Sequence, residues 1–247
     1  MTPVLYKLHI TLMESTFFAS HELDNLYFTE ALIGNYALAY AIGLVKSPYN
    51  RTHVGYGEDL PSLNRAGIYI TPAWCVDKPK YRIETFNCKG ESFYTAMGQN
   101  VVVEIAGRQY VTKKDQHFIN GVTGKMIRPT NRPQKGTLKL LSPQNRFECY
   151  LITAKHLPPP SYIRLGKFMS KARINWRQIA LKGTATTKEE FQLINPVDLG
   201  QECRIMFGDT VNIHPVPLIR RAVIDGPWWT DTNERPVVPA GLKFRGI

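Results

Sequence analysis

Residues 161–179, SYIRLGKFMSKARINWRQI, constrain the fold most strongly, because polar and apolar residues alternate along their second half. The polar positions are Lys171, Arg173, Asn175 and Arg177, and the apolar positions between them are Ala172, Ile174 and Trp176. A period of two places these sets on opposite faces of an extended strand. One face therefore packs against a core, while the other presents cations about 7 Å apart.

The rest of the chain predicts a mixture of strands and helices. Apolar residues alternate from Val4 to Leu12, as in a half-buried strand. The segment ALIGNYALAYAIGL, which follows Thr29, has the spacing of a core helix, and a capping box at Thr187 predicts a second helix that ends at Asn195. Further strands are predicted at residues 67–71, 81–86, 101–105, 137–141 and 147–153. This order favours an α+β sandwich of the split βαβ kind, formed by residues 1–247 as a single domain with insertions.

The positive charge is concentrated in the middle third of the chain. Residues 108–182 contain 16 lysines and arginines and two acidic residues, whereas the rest of the chain contains 15 cations and 18 acids. Clustered cations are typical of proteins that bind a polyanion. Protein cations that neutralise phosphates release the counterions condensed on the nucleic acid, and this release favours binding. The segment therefore favours nucleic acid as a partner. A solvated basic surface, or one that faces acidic protein or lipid, is the alternative.

A polar segment with several glycines, residues 107–136, is predicted to project from the domain as a hairpin or long loop. Its cations that are available to phosphates are Lys125, Arg128, Arg132 and Lys135. Long loops inside compact domains are commonly functional. The segment contains GVTGK, but its glycine spacing is too short for a phosphate-binding loop, and Met126 stands where a magnesium-binding hydroxyl is needed. Nucleotide hydrolysis is rejected on this ground.

No metal, cofactor or membrane site is expected. The four cysteines are widely spaced, with no CxxC pair, and the acidic residues form no DxD or HExxH pattern. The longest apolar run, residues 37–45, is much shorter than a membrane span, and the N-terminus has no basic leader before an apolar block. We therefore expect a cytoplasmic protein.

Several short patterns together resemble one known family. They are Leu165-Gly166-Lys167, Ser170-Lys171-Ala172, Phe17-Phe18-Ala19-Ser20 and Asn35-Tyr36-Ala37-Leu38. These residues and their order are similar to the type I-D member of the CRISPR-associated Cas-five family, whose proteins cap the 5′ handle of the guide RNA in Cascade surveillance complexes. The resemblance implies a ferredoxin-like (RRM-like) core with an inserted basic thumb hairpin at residues 107–136.

The resemblance also implies the contacts of such a subunit. The residues expected to bind RNA are Arg164, Gly166, Lys167, Ser170, Lys171, Arg173, Arg177, Phe17, Phe18 and Ser20. The cations among them would hold the 5′ handle of the crRNA, and the phenylalanines would either stack on bases or belong to the core. The thumb cations Lys125, Arg128, Arg132 and Lys135 would contact nucleic acid, with target double-stranded DNA nearby. The implied protein partners are the backbone subunit and the large subunit of Cascade.

Catalysis is the rival expectation, because some relatives in this family cleave precursor RNA. Metal-independent cleavage needs a base for the 2′-hydroxyl, an acid for the leaving oxygen and cations for the phosphorane. His156 with Lys155 and Tyr162 provides these types of group, and so does His117 with Lys113, but neither set forms a recognisable constellation. The resemblance implies a separate processing nuclease in type I-D systems. We therefore expect a subunit that is not an enzyme, with a metal-independent endoribonuclease for precursor crRNA as the alternative.

Overall fold

Strands make up most of the regular structure of the protein. The computed structural model describes residues 2–23, 26–47, 55–88, 100–105, 108–113, 118–119, 123, 126–127 and 134–245. The strands of this part are β1 (Val4–Leu12), β2 (His21–Leu23), β3 (Leu26–Phe28), β4 (Leu32–Ile33), β5 (Ile68–Ile70), β6 (Ala73–Cys75), β7 (Tyr81–Cys88), β8 (Asn100–Ile105), β9 (Arg108–Lys113), β10 (Phe118–Ile119), β11 (Met126–Ile127), β12 (Gln134–Leu141), β13 (Arg146–Thr153), β14 (Tyr162–Leu165), β15 (Ser170–Ile179), β16 (Leu181–Ile194), β17 (Arg204–Val211), β18 (Leu218–Asp231) and β19 (Pro236–Pro239). The helices are α1 (Asn35–Ala41), α2 (Tyr56–Arg65) and a 3₁₀ turn (Pro196–Asp198).

The predicted α+β, ferredoxin-like (RRM-like) fold is wrong, because the protein is mostly β and its main antiparallel sheet curls into a half-barrel. Among the described residues, the two α-helices are only seven and ten residues long. The first predicted helix is shorter than expected, because Leu32 and Ile33 pair with β6 before α1 begins. The second predicted helix is absent from this part of the chain.

The end of β16 occupies the position of that second helix. The strand continues to Ile194 and pairs with β18 along its length. Thr187 Oγ1 lies 3.3 Å from Glu189 Oε1 and does not cap a helix. Phe191 and Leu193 are buried while the residue between them is exposed, which is the period of a strand. Pairing with a distant strand therefore outweighs the local capping pattern.

The chain divides into two compact units. The first contains residues Met1–His21, Thr29–Arg82 and Leu140–Ile247, and the second contains Glu22–Phe28 and Ile83–Lys139. Both helices and the largest sheet belong to the first unit.

The largest sheet of the first unit has the order β14-β15-β1-β13-β6-β4, and β5 also pairs with β13. The prediction of a strand from Val4 to Leu12 is confirmed. This strand lies between β13 and β15 and is antiparallel to both. Its burial alternates as the sequence predicts, because Leu8 and Ile10 are fully buried while His9 between them is partly exposed. From Tyr6 to Leu12 one face of β1 is thus buried and the other partly exposed, whereas Leu5 on the second face is also buried.

A second sheet of the first unit, with the order β16-β18-β17 and with β19 paired to β18, shares its hydrophobic core with the first. Trp228 on β18 is 1% exposed and belongs to this core. Phe191 on β16 joins the two sheets, since its ring centroid lies 6.1 Å from that of Trp74 and 6.0 Å from that of Tyr150. One large core therefore joins the two sheets, and Leu32, Leu193 and Leu218 form a separate, smaller cluster.

The second unit contains short antiparallel pairs. Strands β8 and β9 pair with each other, and so do β10 and β11, while β3 runs parallel to β12. Three of the predicted thumb cations, Lys125, Arg128 and Arg132, lie outside the described residues. The backbone of Lys135 lies in β12. The boundaries and contacts of a thumb at residues 107–136 stay a prediction.

Candidate nucleic-acid interface

The turn that joins β14 to β15 depends on Gly166. Its φ angle is +69°, and a Cβ atom there would lie 2.4 Å from the carbonyl oxygen of Phe17. The backbone N–H of Lys167 donates a hydrogen bond to the same oxygen at 2.9 Å. Only glycine combines this backbone conformation with so close an approach. The turn is therefore fixed to the segment that follows β1, and it leaves the side chain of Lys167 exposed.

Four of the predicted RNA-binding cations project from one face of the largest sheet. Arg164 lies opposite Lys171 in the β14–β15 pair, and Arg173 and Arg177 follow along β15 at even spacings from Lys171. Residues directly opposite each other in an antiparallel pair share a face, and so do residues two or four apart in a strand. The register of the sheet thus groups the cations of β15 in the way that their alternation predicts.

Neighbouring strands add two cations to the same face. Arg177 pairs with Lys7, and Arg173 pairs with Thr11, which in turn pairs with Arg146 on β13. We call the surface formed by Lys7, Arg146, Arg164, Lys171, Arg173 and Arg177 the cationic face. It spans four adjacent strands, and its residues are far apart in the sequence.

Acidic residues neutralise part of the cationic face. Lys7 Nζ lies 2.7 Å from Glu148 Oε2, and His9 Nδ1 lies 3.1 Å from the other oxygen of that carboxylate. Arg146 donates hydrogen bonds of 2.8 and 2.9 Å to the two oxygens of Asp77. These hydrogen bonds hold the pKa of the Asp77 carboxyl below its usual value. The β13 edge of the face is thus less available to an anion.

The β14–β15 side of the face keeps its positive charge. Lys167, Arg173 and Arg177 are exposed and form no ion pair within the described part of the chain. Arg164 Nη1 lies 3.7 Å from Glu14 Oε2, but both side chains are more than half exposed, so water screens this pair. Among the described residues, this side offers cations that suit phosphates best.

The apolar half of the β15 pattern is only partly buried. Ala172 and Ile174 are in the core as predicted, but Trp176 is 39% exposed. The indole of Trp176 packs edge-on against Tyr6, with ring centroids 5.3 Å apart. The burial of that face therefore ends near Trp176.

The two predicted stacking residues are placed in or against the core. Phe17 is fully buried and stacks on Phe168, with ring centroids 5.4 Å apart. Phe18 is partly buried, and its backbone N–H and carbonyl both bond to the hydroxyl of Thr29, at 3.1 and 2.9 Å. The Phe17 ring has no surface that a base can reach, so the base-stacking interpretation does not fit it and the core interpretation does.

The two predicted serines have hydroxyls that already bond within the protein. Ser170 is 2% exposed and donates to the carbonyl of Ser15 at 2.7 Å. Ser20 Oγ accepts the backbone N–H of Glu30 at 3.0 Å. Ser170 is too buried to contact RNA, and the structure gives it the role of fixing the start of β15.

A shallow groove of about 500 Å³ opens beside the hairpin, and the sequence patterns did not reveal it. The residues that line it are Tyr40, Ala41, Tyr162, Ile163, Arg164, Met169 and Lys171. Lys171 Nζ lies 4.4 Å above the centroid of the Tyr162 ring. Tyr162 and Met169, which line the same groove, are 51% and 54% exposed. In the sequence they are recognisable only by their position next to cations.

His156, the proposed base of the enzymatic alternative, belongs to a structural hydrogen-bond chain. The backbone N–H of Leu157 donates to the hydroxyl of Tyr6 at 3.1 Å, and this hydroxyl lies 2.8 Å from His156 Nδ1. The Tyr6 hydroxyl has one hydrogen and two lone pairs, so the direction of its bond to Nδ1 follows the tautomer of His156. The other proposed base, His117, lies outside the described residues.

Within the described residues, no three His, Cys, Asp or Glu side chains are grouped closely enough to hold a metal ion. None of the helices in this part of the chain combines the length and apolar character that a membrane span requires.

One of three comparisons with known proteins identifies the family of the chain. No curated protein matches the chain. A chain in a cryo-EM structure of the type III-B Cmr-beta complex, bound to cognate target RNA and AMPPnP, is similar at 10% identity with a TM-score of 0.42, over 89% of this chain and 86% of that chain. The family model for the type I-D CRISPR-associated protein Cas5/Csc1 matches residues 3–246. The chain therefore belongs to the type I-D CRISPR-associated Cas5/Csc1 family, whose members are subunits of CRISPR effector complexes.

Proposed function

We propose that this protein is a non-catalytic RNA-binding subunit of a type I-D Cascade complex that caps the 5′ handle of the crRNA in antiviral defence. The observation that supports this most directly is the placement of Arg164, Lys171, Arg173 and Arg177 on one face of a sheet, beside the exposed Lys167. Successive side chains on this face are about 7 Å apart, which suits successive phosphates of an extended single strand. Such a complex acts in the cytoplasm.

Phosphate contacts supply most of the affinity in this proposal. Lys167, Arg173 and Arg177 have no acidic partner among the described residues, so an RNA strand displaces counterions and breaks no ion pair of these side chains. The binding constant should fall with salt by about 0.7 log units per log unit of salt for each phosphate engaged.

The proposal also includes contacts with target DNA and with other subunits of the complex. The thumb cations Lys125, Arg128, Arg132 and Lys135 contact nucleic acid and contribute to recognition of target DNA on the PAM side. The backbone subunit and the large subunit of Cascade bind the remaining surfaces. These contacts follow from family membership and from the positive charge of residues 108–182.

A charge-reversal experiment tests the proposal. Lys167→Glu/Arg173→Glu reverses two exposed cations of the interface, and Lys188→Glu/Lys243→Glu makes the same charge change at two exposed lysines on other elements. Each protein is co-expressed with the other Cascade subunits and crRNA, and the RNA that co-purifies is quantified by absorbance and on gels. The interface variant should lose crRNA, while the control variant should retain it.

Three outcomes contradict the proposal. If the interface variant retains crRNA as the wild type does, the assignment of these cations is wrong. If both variants lose crRNA equally, net charge decides binding and the face does not. If the wild-type complex purifies without RNA, a basic surface that faces acidic protein is favoured instead. Melting curves of each isolated protein show whether the substitutions leave the fold intact.

The absence of catalysis is tested separately. His156 Nδ1 is hydrogen-bonded to the Tyr6 hydroxyl, which also accepts the backbone N–H of Leu157, and this engagement within the fold favours a structural role for the histidine. Purified protein is incubated with precursor crRNA in EDTA, and no discrete product is expected. Discrete cleavage that disappears in His156→Ala would establish the endoribonuclease alternative instead.

A further inference from the structure

We propose that the groove between α1 and the β14–β15 hairpin is a subsite for one nucleobase of the bound single-stranded RNA. This inference rests on the proposed function, since it adds a base contact to a strand that the cationic face holds by its phosphates. The groove is lined by Tyr40, Tyr162, Arg164, Met169 and Lys171 among others, and its volume of about 500 Å³ lies in the usual range for small-ligand sites.

The exposed aromatic ring is the first observation behind this inference. Tyr162 is 51% exposed on β14, and Met169 beside it in the groove is 54% exposed. Two large apolar groups next to each other in water are costly unless a partner covers them. Aromatic rings accept the flat face of any base, and a thioether packs well against a ring.

The charges around the groove define the chemical class of the ligand. Lys171 Nζ lies 4.4 Å from the centroid of the Tyr162 ring as a cation–π partner on one face, so a base would stack on the opposite face with this cation beside it to attract its phosphate. Arg164 Nη1 donates to the carbonyl of Met169 at 3.1 Å, which holds the guanidinium beside the groove while four of its five N–H donors remain. An aromatic platform with two adjacent cations is the combination that single-stranded nucleic acids require.

The opposite side of the groove is held in place. Tyr40 on α1 donates its hydroxyl hydrogen to Asp59 Oδ2 at 2.6 Å, and Ser47 donates to the other oxygen of the same carboxylate at 2.7 Å. The Tyr40 ring therefore keeps its orientation without a ligand, and less conformational freedom is lost when a base enters. The Phe17 ring cannot stack on this base, because it is buried against Phe168.

The test is a thermodynamic cycle between Tyr162 and individual RNA bases. Short single-stranded RNAs carrying one abasic nucleotide at each position in turn are titrated with the full-length protein by fluorescence anisotropy. The variants are Tyr162→Ala, Tyr162→Phe and the control Phe207→Ala, which removes another exposed aromatic ring, 67% exposed, from β17. Circular dichroism melting of each variant monitors the fold.

The expected result is a specific coupling. Tyr162→Ala should weaken binding of intact RNA about tenfold, as expected for the loss of one stacked base, while Tyr162→Phe and Phe207→Ala should bind as the wild type does. One abasic position should weaken wild-type binding by a similar factor and have no further effect in Tyr162→Ala. Wild-type affinity of Tyr162→Ala, or additive losses at every abasic position, would overturn the subsite.

The same titrations separate this inference from the proposed function. If Arg173→Glu weakens binding and lowers its salt dependence while Tyr162 shows no coupling, the phosphate interface stands and the base subsite is refuted. If the wild-type protein binds none of the RNAs, both are refuted.

Discussion

Replacement of Gly166 by alanine should destabilise the protein more than the same replacement at a glycine that has a similar φ angle but no close neighbour. Gly166 has a φ of +69°, and a Cβ atom at this position would lie 2.4 Å from the backbone oxygen of Phe17. The left-handed conformation costs a residue with a side chain about 1–2 kcal/mol. The contact adds to this cost, because Cβ atoms do not approach closer than 3.0 Å and the turn must move by at least 0.6 Å, the difference between the two distances.

That movement affects a hydrogen bond as well. The N–H of Lys167 donates to the same Phe17 oxygen at 2.9 Å, and its loss removes about 1 kcal/mol. The sum for Gly166→Ala is a loss of roughly 2–4 kcal/mol in the free energy of unfolding. For a chain of this length, the expected decrease in Tm is roughly 5–15 °C.

Two other glycines serve as controls that separate the cost of the backbone conformation from the cost of the contact with Phe17. Gly43 has a φ of +80° and no atom within 4 Å of the position that a Cβ would occupy, so Gly43→Ala should lose only the conformational part, about 1–2 kcal/mol. Gly183 has neither a positive φ nor a close contact, so Gly183→Ala should leave stability unchanged or raise it by less than about 1 kcal/mol. Urea denaturation followed by circular dichroism measures all three. If Gly166→Ala loses no more than Gly43→Ala, the contact with Phe17 does not constrain the turn.

Two further predictions concern buried polar groups. Burial raises the pKa of the Asp198 carboxyl above its ordinary value. The unfolding free energy of the wild type minus that of Asp198→Asn should therefore increase as the pH falls from 7 through this raised pKa towards about 3.9. Urea titrations at several pH values measure this difference, and a constant value would contradict it. Tyr6→Phe removes the hydroxyl that binds Leu157 and His156, and should cost about 1–3 kcal/mol. An unchanged Tm would show that this hydroxyl contributes nothing to stability.

The sequence predicted strands better than helices, for a physical reason. A half-buried strand such as Val4–Leu12 has alternating apolar and polar residues, because successive side chains face the core and water in turn. The segment after Thr187 carries a local helix signal and a weaker alternation at its end, and the pairing with β18 decides between them. That pairing joins residues about thirty positions apart, so no local pattern contains it.

The candidate site was predictable in its cations and unpredictable in its aromatic part. The alternation of β15 alone groups Lys171, Arg173 and Arg177, and this grouping needs no knowledge of the neighbouring strands. Whether a phenylalanine is available to a base depends on what covers it, and Phe168, which covers Phe17, is about 150 residues away in the chain. Tyr40 and Tyr162 line one groove although more than 120 residues separate them. Sequence patterns therefore grouped the candidate phosphate contacts and missed the groove.

The position of Gly166 explains why the hairpin and the first strand act as one element. The segment after β1 is hydrogen-bonded to the hairpin at four points: Met13 N–H donates to the carbonyl of Lys171 at 3.0 Å, Lys171 N–H donates to Glu14 Oε2 at 2.7 Å, Ser170 donates to Ser15 and Lys167 N–H donates to Phe17. On the hairpin side these bonds use only backbone groups and the buried hydroxyl of Ser170, so none of them occupies a charged side chain of the hairpin. In the proposed interface, a turn fixed in this way limits the conformational freedom lost when an RNA strand binds.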